Sequence, residues 1–424
     1  MKKLAVIGKP VAHSKSPDIF KYLFKKNKID AVYTRISVNK SRDIIPLAEK
    51  YNICAFNVTS PFKKDIIKHL DKLDPVSEIT GSVNSVIRKN NVFYGFNTDV
   101  YGVKACLSSN SVDPSGKKCT VIGAGGAAVS AVHALNELGA NVFISNRTDK
   151  KAEDIAAKFK CKSIMFKDLD HTLKDSFLVI PAVSGTMNFS KNILKSSIIL
   201  DPNYHSESLC IKCKKYIKGY EWLFYQAVKF FELFEGTGQN GCYRNELRFL
   251  KKRKMNPVFI GMTGVGKTEL ARMVAEHFGY CFYDSDEEVE KAEGMKTAKI
   301  FKHFGEQKFR KLEENMIESF CTKDNILIAA GAGSVLSEKV RKVLKENCFI
   351  VLIDTDIDII ASRMKKIDIS KRPLIRPRNI TQSLKDMFFQ RKDIYYAVSD
   401  LIINSSSSSV TENAERIIEE LNAR

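Results

Sequence analysis

The sequence predicts an α/β chain of more than one domain, and three observations carry the prediction. Short β-branched runs alternate with helical runs through the first hundred residues, the pattern of strands laid beside covering helices. Two glycine loops each stand between an apolar run and a helix-forming run: Gly123-Ala124-Gly125-Gly126-Ala127-Ala128, and Gly261-Met262-Thr263-Gly264-Val265-Gly266-Lys267-Thr268. A chain of 424 residues exceeds one ordinary core, and the basic run Lys251-Lys252-Arg253-Lys254 falls between the loops, where a boundary is expected.

Composition narrows the function class. Hydrophobic content of 44% and charged content of 28% are those of a globular protein. No apolar run approaches the ~18 residues of a membrane span, so no membrane partner is expected. Met1 to Gly8 reads as a first strand ending in a glycine loop, not as a targeting peptide. The ten cysteines are scattered, as in a reducing cytoplasm, the expected compartment. Cys210-x-x-Cys213 lacks a second pair and reads as ordinary thiols. The net charge of +19 is spread evenly over lysines without a nucleic-acid-binding module. It therefore reads as a solvated basic surface serving small anionic substrates, with no nucleic-acid partner.

The expected strands of the first region are Leu4–Gly8, Val32–Val38, Ile53–Val58, Ser82–Arg88 and Val92–Asn97. The expected helices are Pro17–Lys26, Arg42–Lys50 and Lys64–Leu70. Polar clusters stand at strand ends, where open α/β sheets place their sites. These are Ser14-Lys15-Ser16, Asn57-Val58-Thr59-Ser60-Pro61-Phe62-Lys63, Val83-Asn84-Ser85 and Asn97-Thr98-Asp99. Singly each reads as a polar turn or a helix cap; Ser16 before Pro17 fits an N-cap.

In that order the clusters resemble shikimate dehydrogenase, with its S-K-S, N-V-T-x-P-F-K, V-N-T and N-T-D elements, and the resemblance runs from Met1 to about Leu250. The resemblance implies that Ser14, Ser16, Thr59, Asn84 and Asp99 hold the substrate, and that Lys63 is the catalytic acid/base beside Asp99. The chemistry agrees, because reducing a ketone leaves an alkoxide that needs a proton from a positioned acid.

The first glycine loop follows the β-run Lys118–Ile122, opens a helix to Leu138 and precedes a second strand, Asn141–Ser145. Together these form a Rossmann dinucleotide fingerprint. Gly123 makes the turn, Gly125 admits the pyrophosphate, Ala128 packs the helix on the strand, and Gly126 and Ala127 are expected to bind the cofactor with the two glycines before them. The second strand ends in Asn146-Arg147-Thr148 with no acidic residue, which suits the 2′-phosphate of NADP(H). Farther on, the resemblance assigns Gly219 to the cofactor and Tyr204 and Gln226 to the substrate. Pro181, Glu221 and Trp222 depart from the family pattern, the last two at positions expected near the nicotinamide.

The second loop reads G-x-x-x-x-G-K-T between the strand Pro257–Ile260 and the helix Glu269–Phe278. Gly264, Val265 and Gly266 offer backbone N–H groups to a polyphosphate, Lys267 supplies charge, and the Thr268 hydroxyl can ligate Mg²⁺. From Pro257 the chain resembles shikimate kinase. Tyr283-Asp284-Ser285-Asp286 carries its D-x-D, Phe309-Arg310-Lys311-Leu312-Glu313 its F-R-x-x-E, and Gly331-Ala332-Gly333 replaces its G-G-G. Lys371-Arg372-Pro373-Leu374 and Arg391 to Tyr395 complete the set. The resemblance implies Asp286 at the attacking hydroxyl, Asp284 at Mg²⁺, Arg310, Gly331, Gly333 and Arg391 around shikimate, and Arg372 on ATP from a lid. Ala332 would be strained there at positive φ. Ser405–Ser409 reads as a loop before a last helix, Thr411–Leu421.

The expected organisation is a substrate domain over 1–103 and 220–250, an NADP-binding Rossmann domain over 104–219, a linker over 251–256 and a P-loop kinase domain, nucleoside-monophosphate-kinase-like with a parallel sheet and lid, over 257–424. The implied enzyme reduces 3-dehydroshikimate with NADPH, then phosphorylates shikimate with ATP and Mg²⁺, as a monomer or homodimer. Two alternatives stand beside it: a catalytically impaired ligand sensor or scaffold, and a quinate-type dehydrogenase fused to another small-molecule kinase. The fusion reads as two independent catalysts held in equal amount.

Overall fold

The computed structural model describes residues 1–183, 193–203, 213–236, 256–365 and 379–424. Tyr204, Cys210, Arg372 and residues 251–255 of the expected linker lie outside these described residues. Two compact units emerge, and neither is a single run of chain. One gathers Met1–Ser14, Ala31–Ile53 and Lys252–Arg424; the other gathers Lys15–Asp30 and Cys54–Lys251.

The first unit is built on parallel strands. Cys281–Asp284, Ile326–Ala329, Asn256–Ile260, Cys348–Asp354, Leu401–Asn404, Ala31–Ser37 and Lys2–Gly8 lie side by side in that order. Every neighbouring pair among them is parallel. The sequence of Cys348–Asp354, CFIVLID, is apolar almost throughout and buried along its length, as a parallel strand covered on both faces requires. Sequence reading did not foresee that strands from opposite ends of the chain would pair. Leu401 stands opposite Arg35 and Ile402 opposite Ile36. Side chains reinforce the join. The Thr34 hydroxyl donates to the Ser399 carbonyl at 2.7 Å, and the Tyr396 hydroxyl to the Leu4 carbonyl at 2.8 Å. The Glu420 carboxylate accepts from the Val11 and Ala12 N–H groups, both at 2.7 Å. Each such bond contributes a net ~0.5–1.5 kcal/mol, and together they cover an otherwise open sheet edge.

The second unit holds a 6-stranded parallel sheet in the order Lys215–Ile217, Ile198–Leu200, Leu178–Pro181, Lys118–Ile122, Asn141–Ser145, Lys162–Ile164. Strand order reverses beside Lys118–Ile122, which puts a binding crevice beyond its carboxyl end. Val121, Ala131, Val132, Leu135, Ile144, Leu178 and Ile180 fill the core at 0% exposure. Burying one such Val, Leu or Ile stabilises the fold by about 1.5–3 kcal/mol. Ala55–Val58, Ser85–Lys89 and Val92–Phe96 form an antiparallel set in the same unit. The helix Gly219–Glu235 packs on Ser16–Lys26, with Phe230 edge-on to Phe20 at 5.6 Å.

The helix expected over Lys64–Leu70 is present as a 3₁₀ helix, Asp65–His69. Only Ile66 is buried there, and Asp71 is tied to the Phe93 backbone, so the segment has neither the apolar stripe nor the length for an α-helix. Ser16 begins the helix Ser16–Lys26 rather than capping it; Lys15 holds the cap position, and its side chain makes no capping hydrogen bond to the helix.

Candidate active sites

The 6-stranded unit carries the first site. Lys63 Nζ donates to Asp99 Oδ2 at 2.6 Å, with the two side chains 17% and 4% exposed. Asp99 opens the helix Asp99–Ser109, whose N-terminus favours a carboxylate. Asn84 is buried, donates to Gln226 Oε1 at 2.8 Å and accepts from the Thr98 N–H at 2.8 Å. Asn57 Nδ2 reaches the Asn84 carbonyl at 3.1 Å. One network thus joins Asn84, Gln226 and the turn that ends in Asp99. Asn57 and Thr98 were given no role from sequence, although both lie inside the quoted motifs. Thr59 is half-buried beside Lys63 in the chain, its carbonyl accepting from Phe62. Ser16 is buried at its helix start. Ser14 belongs to the other unit, where its carbonyl accepts from Arg35 Nε and Nη2 at 2.9 and 2.7 Å.

The dinucleotide loop opens beside Lys63. A Cβ on Gly126 would lie 2.7 Å from Ser82 Oγ and 3.2 Å from Lys63 Cδ. Gly125 has open space around it, and the helix Gly126–Glu137 starts there. These are the features a pyrophosphate needs: free backbone N–H groups, room to approach and a helix N-terminus. Gly123 has φ +118° and lies against the Ala182 carbonyl oxygen, so a side chain there meets both strain and collision. Gly123→Ala is expected to cost about 1–3 kcal/mol of stability from backbone conformation alone. It should also abolish retention on a dinucleotide affinity resin, read by melting temperature and column binding. Asn146 Nδ2 donates to the Thr148 carbonyl at 3.0 Å, leaving Arg147 exposed at the strand end.

Gly219 heads its helix with its backbone against Asp201 and Pro202; a Cβ would lie 2.5 Å from the Asp201 carbonyl oxygen. Burial pushes the Asp201 carboxyl up, against the hydrogen bonds from Tyr216 and the Asn203 N–H that hold it down. The side chains of Glu221 and Trp222 both engage the helix Asp99–Ser109 and the residue that follows it. Glu221 accepts from Asn110 at 2.7 Å, and Trp222 is buried against Gly102. The glycine in Asp99–Ser109 provides the space that the indole fills.

The first unit carries the second site. Gly261, Gly264 and Gly266 have φ of +145°, +82° and +90°, the conformations that fold the loop back on itself. Lys267 Nζ donates to the Gly261 and Met262 carbonyls at 2.9 and 3.0 Å, and Val265 is buried beneath. Thr268 Oγ1 donates to Asp284 Oδ2 at 2.7 Å. The other Asp284 oxygen caps the helix Ser285–Glu293 through the Asp286 and Glu287 N–H groups.

Around the Gly331–Gly333 loop the remaining groups converge. A Cβ on Gly331 would lie 2.5 Å from Asp286 Oδ1, and one on Gly333 2.5 Å from Arg310 Cζ. Arg310 is held by Glu313 at 2.8 Å and Glu306 at 3.0 Å. Glu313, 1% exposed, also accepts from Ser285 and Ser334, a positioning role not assigned from sequence. Arg391 is buried and donates to the Ala332 carbonyl at 3.2 Å; its Nε finds no partner among the described residues. A buried donor of that kind is ordinarily satisfied, and here it suits an anion. Ala332 does not take a positive φ, so the strain considered from sequence is not present. Its carbonyl instead receives Arg391 and Tyr395.

Both clefts have counterparts among known proteins. Family models match at residues 6–86 (shikimate dehydrogenase substrate binding domain), 107–198 (shikimate / quinate 5-dehydrogenase) and 263–422 (shikimate kinase). A shikimate dehydrogenase (NADP(+)) of Dehalococcoides mccartyi is 30% identical over 263 residues, covering 56% of this chain and 91% of that protein. A shikimate kinase of Thermodesulfovibrio yellowstonii is 36% identical over 165 residues, covering 39% and 94%. The chain belongs to the shikimate dehydrogenase and shikimate kinase families. The crystal structure of shikimate 5-dehydrogenase from Listeria monocytogenes, in complex with shikimate and NAD, aligns with TM-score 0.52 and 28% identity over 59% of this chain and 96% of that one. The chain is a bifunctional shikimate-pathway enzyme that uses NADP and ATP, and the sensor and quinate alternatives are not favoured.

Proposed function

We propose that Lys63 and Asp99 carry the reduction of 3-dehydroshikimate, and that Asp286, Lys267 and Arg310 carry the phosphorylation of shikimate. The observation that supports this best is the 2.6 Å Lys63–Asp99 pair with Gly126 of the dinucleotide loop against Lys63. When bound, NADPH supplies hydride and ATP supplies the phosphoryl group. Lys63 holds the proton for the carbonyl oxygen, Asp99 orients Lys63, and Asn84 and Gln226 fix the ring with Ser16, Thr59 and Tyr204. In the second reaction that same oxygen, now a hydroxyl, is the nucleophile that Asp286 orients. Arg310 and Arg391 take the substrate carboxylate, with Gly331 and Gly333 pressed close enough for backbone contact. Lys267 and the loop N–H groups hold the phosphates, Arg372 joins from the lid, and Thr268 with Asp284 holds Mg²⁺.

The domain organisation we propose keeps 1–103 with 220–250, 104–219 and 257–424 as functional regions, with 251–256 as the linker between the dehydrogenase and kinase regions. The compartment is a reducing cytoplasm, and the scattered free thiols support it. No helix among the described residues is long and apolar enough to cross a membrane. The assembly is a monomer or homodimer acting on small molecules. The direct test is NADPH oxidation with 3-dehydroshikimate, then ADP release with shikimate, on one purified chain; failure of either reaction removes that half of the reading.

Arg147 gives the cofactor preference. Losing a charge-assisted hydrogen bond costs about 1.5–3 kcal/mol, or roughly 10–100-fold. Arg147→Ala should therefore raise KM for NADPH by that factor and leave KM for NADH nearly unchanged. Equal loss with both cofactors would mean that the guanidinium does not face the 2′-phosphate.

A further inference from the structure

We infer that Lys50, a residue of the dehydrogenase-like sequence, is a positioning residue for the ATP site of the kinase. The inference rests on the kinase reading of residues 256–424. Lys50 ends the helix Ile44–Lys50, and its ammonium lies 2.9 Å from both oxygens of Asp354 and 3.3 Å from Asp356 Oδ1. Asp354 is 4% exposed on its side chain, Lys50 only 18%, and the ammonium also lies 5.3 Å from the centre of the Phe388 ring. Among the described residues the ammonium of Lys50 is the cation paired with Asp354.

Asp354 and Asp356 bracket the turn between a strand and a helix on which the phosphate loop rests. Asp354 is the last residue of the strand Cys348–Asp354, and the preceding carbonyl, that of Ile353, faces Gly261; a Cβ on Gly261 would lie 2.5 Å from it. Asp356 precedes the helix Ile357–Met364. That helix turns Ile360 and Met364 onto Gly264, where a Cβ would stand 3.1 Å and 2.7 Å from their side chains. The phosphate loop therefore rests on a strand end and a helix whose connecting turn is clamped by Lys50. On the other side the turn is bound to the loop after Leu401–Asn404. The Asp354 carbonyl accepts from Ser405 N–H at 2.7 Å, and Asp356 N–H donates to Ser406 Oγ at 2.9 Å. Asn39, again from the dehydrogenase-like sequence, reaches Ser408 Oγ at 2.7 Å.

Removing the ammonium leaves a buried carboxylate without its counter-charge, which must gain a proton or admit water. Either response moves the turn, and a loop that binds by backbone N–H geometry is sensitive to small displacements. One activity then depends structurally on a residue from the sequence of the other. It requires no passage of an intermediate between sites.

The test is titration of the full chain with a fluorescent ATP analogue, at a temperature well below the melting point of each variant. Lys50→Met should raise Kd by about tenfold, toward the low end of the 5–150-fold range typical of coupled sites. KM for shikimate and the dehydrogenase kcat/KM should stay within about twofold, and Lys50→Arg should restore ATP binding. A merely structural role would lower the melting temperature and leave Kd of the folded chain where it was, and that result overturns the inference. Should Lys50→Met not fold, Asp354→Asn removes the other charge with little change of shape; it too should raise Kd, and unchanged binding overturns the inference equally. Because binding is read directly, a wild-type chain that binds ATP but does not phosphorylate shikimate sinks the kinase reading without touching this result.

Discussion

Lys63→Ala should lower the dehydrogenase kcat by ~10²–10⁴-fold, the usual loss when a general acid is removed. The ammonium of Lys63 is held by Asp99 at 2.6 Å, and the dinucleotide loop packs against its methylenes. No other lysine or histidine has a hydrogen bond or ion pair to Asp99 among the described residues. The phosphate loop, Asp286 and Arg310 lie in the other compact unit, so ADP release with shikimate should stay near the unmutated rate. Steady-state kinetics on both reactions decide it. Dehydrogenase activity within a few-fold of the unmutated enzyme would remove Lys63 from the mechanism.

Asp286→Asn makes the mirror experiment. The substitution keeps the size of the side chain and removes its capacity to accept the nucleophile's proton, with an expected loss of ~10²–10⁴-fold in kinase kcat. Asp286 also sits against Gly331 in a crowded loop, so the isosteric change is preferable to truncation. ATP affinity should hold, because the phosphates are gripped by Lys267 and the glycine loop. Unchanged NADPH oxidation in the same preparation shows that the chain is folded. If kcat falls by less than tenfold, the attacking hydroxyl is oriented by another group.

Much of this was legible because the informative residues are local. Gly123, Gly125 and Gly126 are read from a strand–loop–helix pattern whose geometry a few residues dictate, and Gly261 to Thr268 likewise. The positive φ at Gly264 and Gly266 is what the glycines had implied. The contacts that escaped are those between segments far apart in sequence. Glu313 could be seen in its motif, but its bonds to Ser285 and Ser334 depend on how a helix meets two loops. Glu221 and Trp222 could be seen at their motif positions, but their contacts with an amide at position 110 and a glycine at position 102 depend on how two helices meet. Lys50 carried no signal at all, since a lysine closing a short helix is ordinarily a solvated residue. Pairing of Leu401–Asn404 with Ala31–Ser37 was likewise invisible, because periodicity identifies a strand and not its neighbour.

That pairing sets a timetable for biosynthesis. Arg35 meets Asp400 across 365 residues of chain. At a synthesis rate of ~5–20 residues per second, the Ala31–Ser37 strand waits roughly 20–70 s on the ribosome before its partner exists. During that interval Lys2–Gly8 can already flank the strand on one side, while its other edge offers unpaired N–H and C=O groups to any nascent chain nearby.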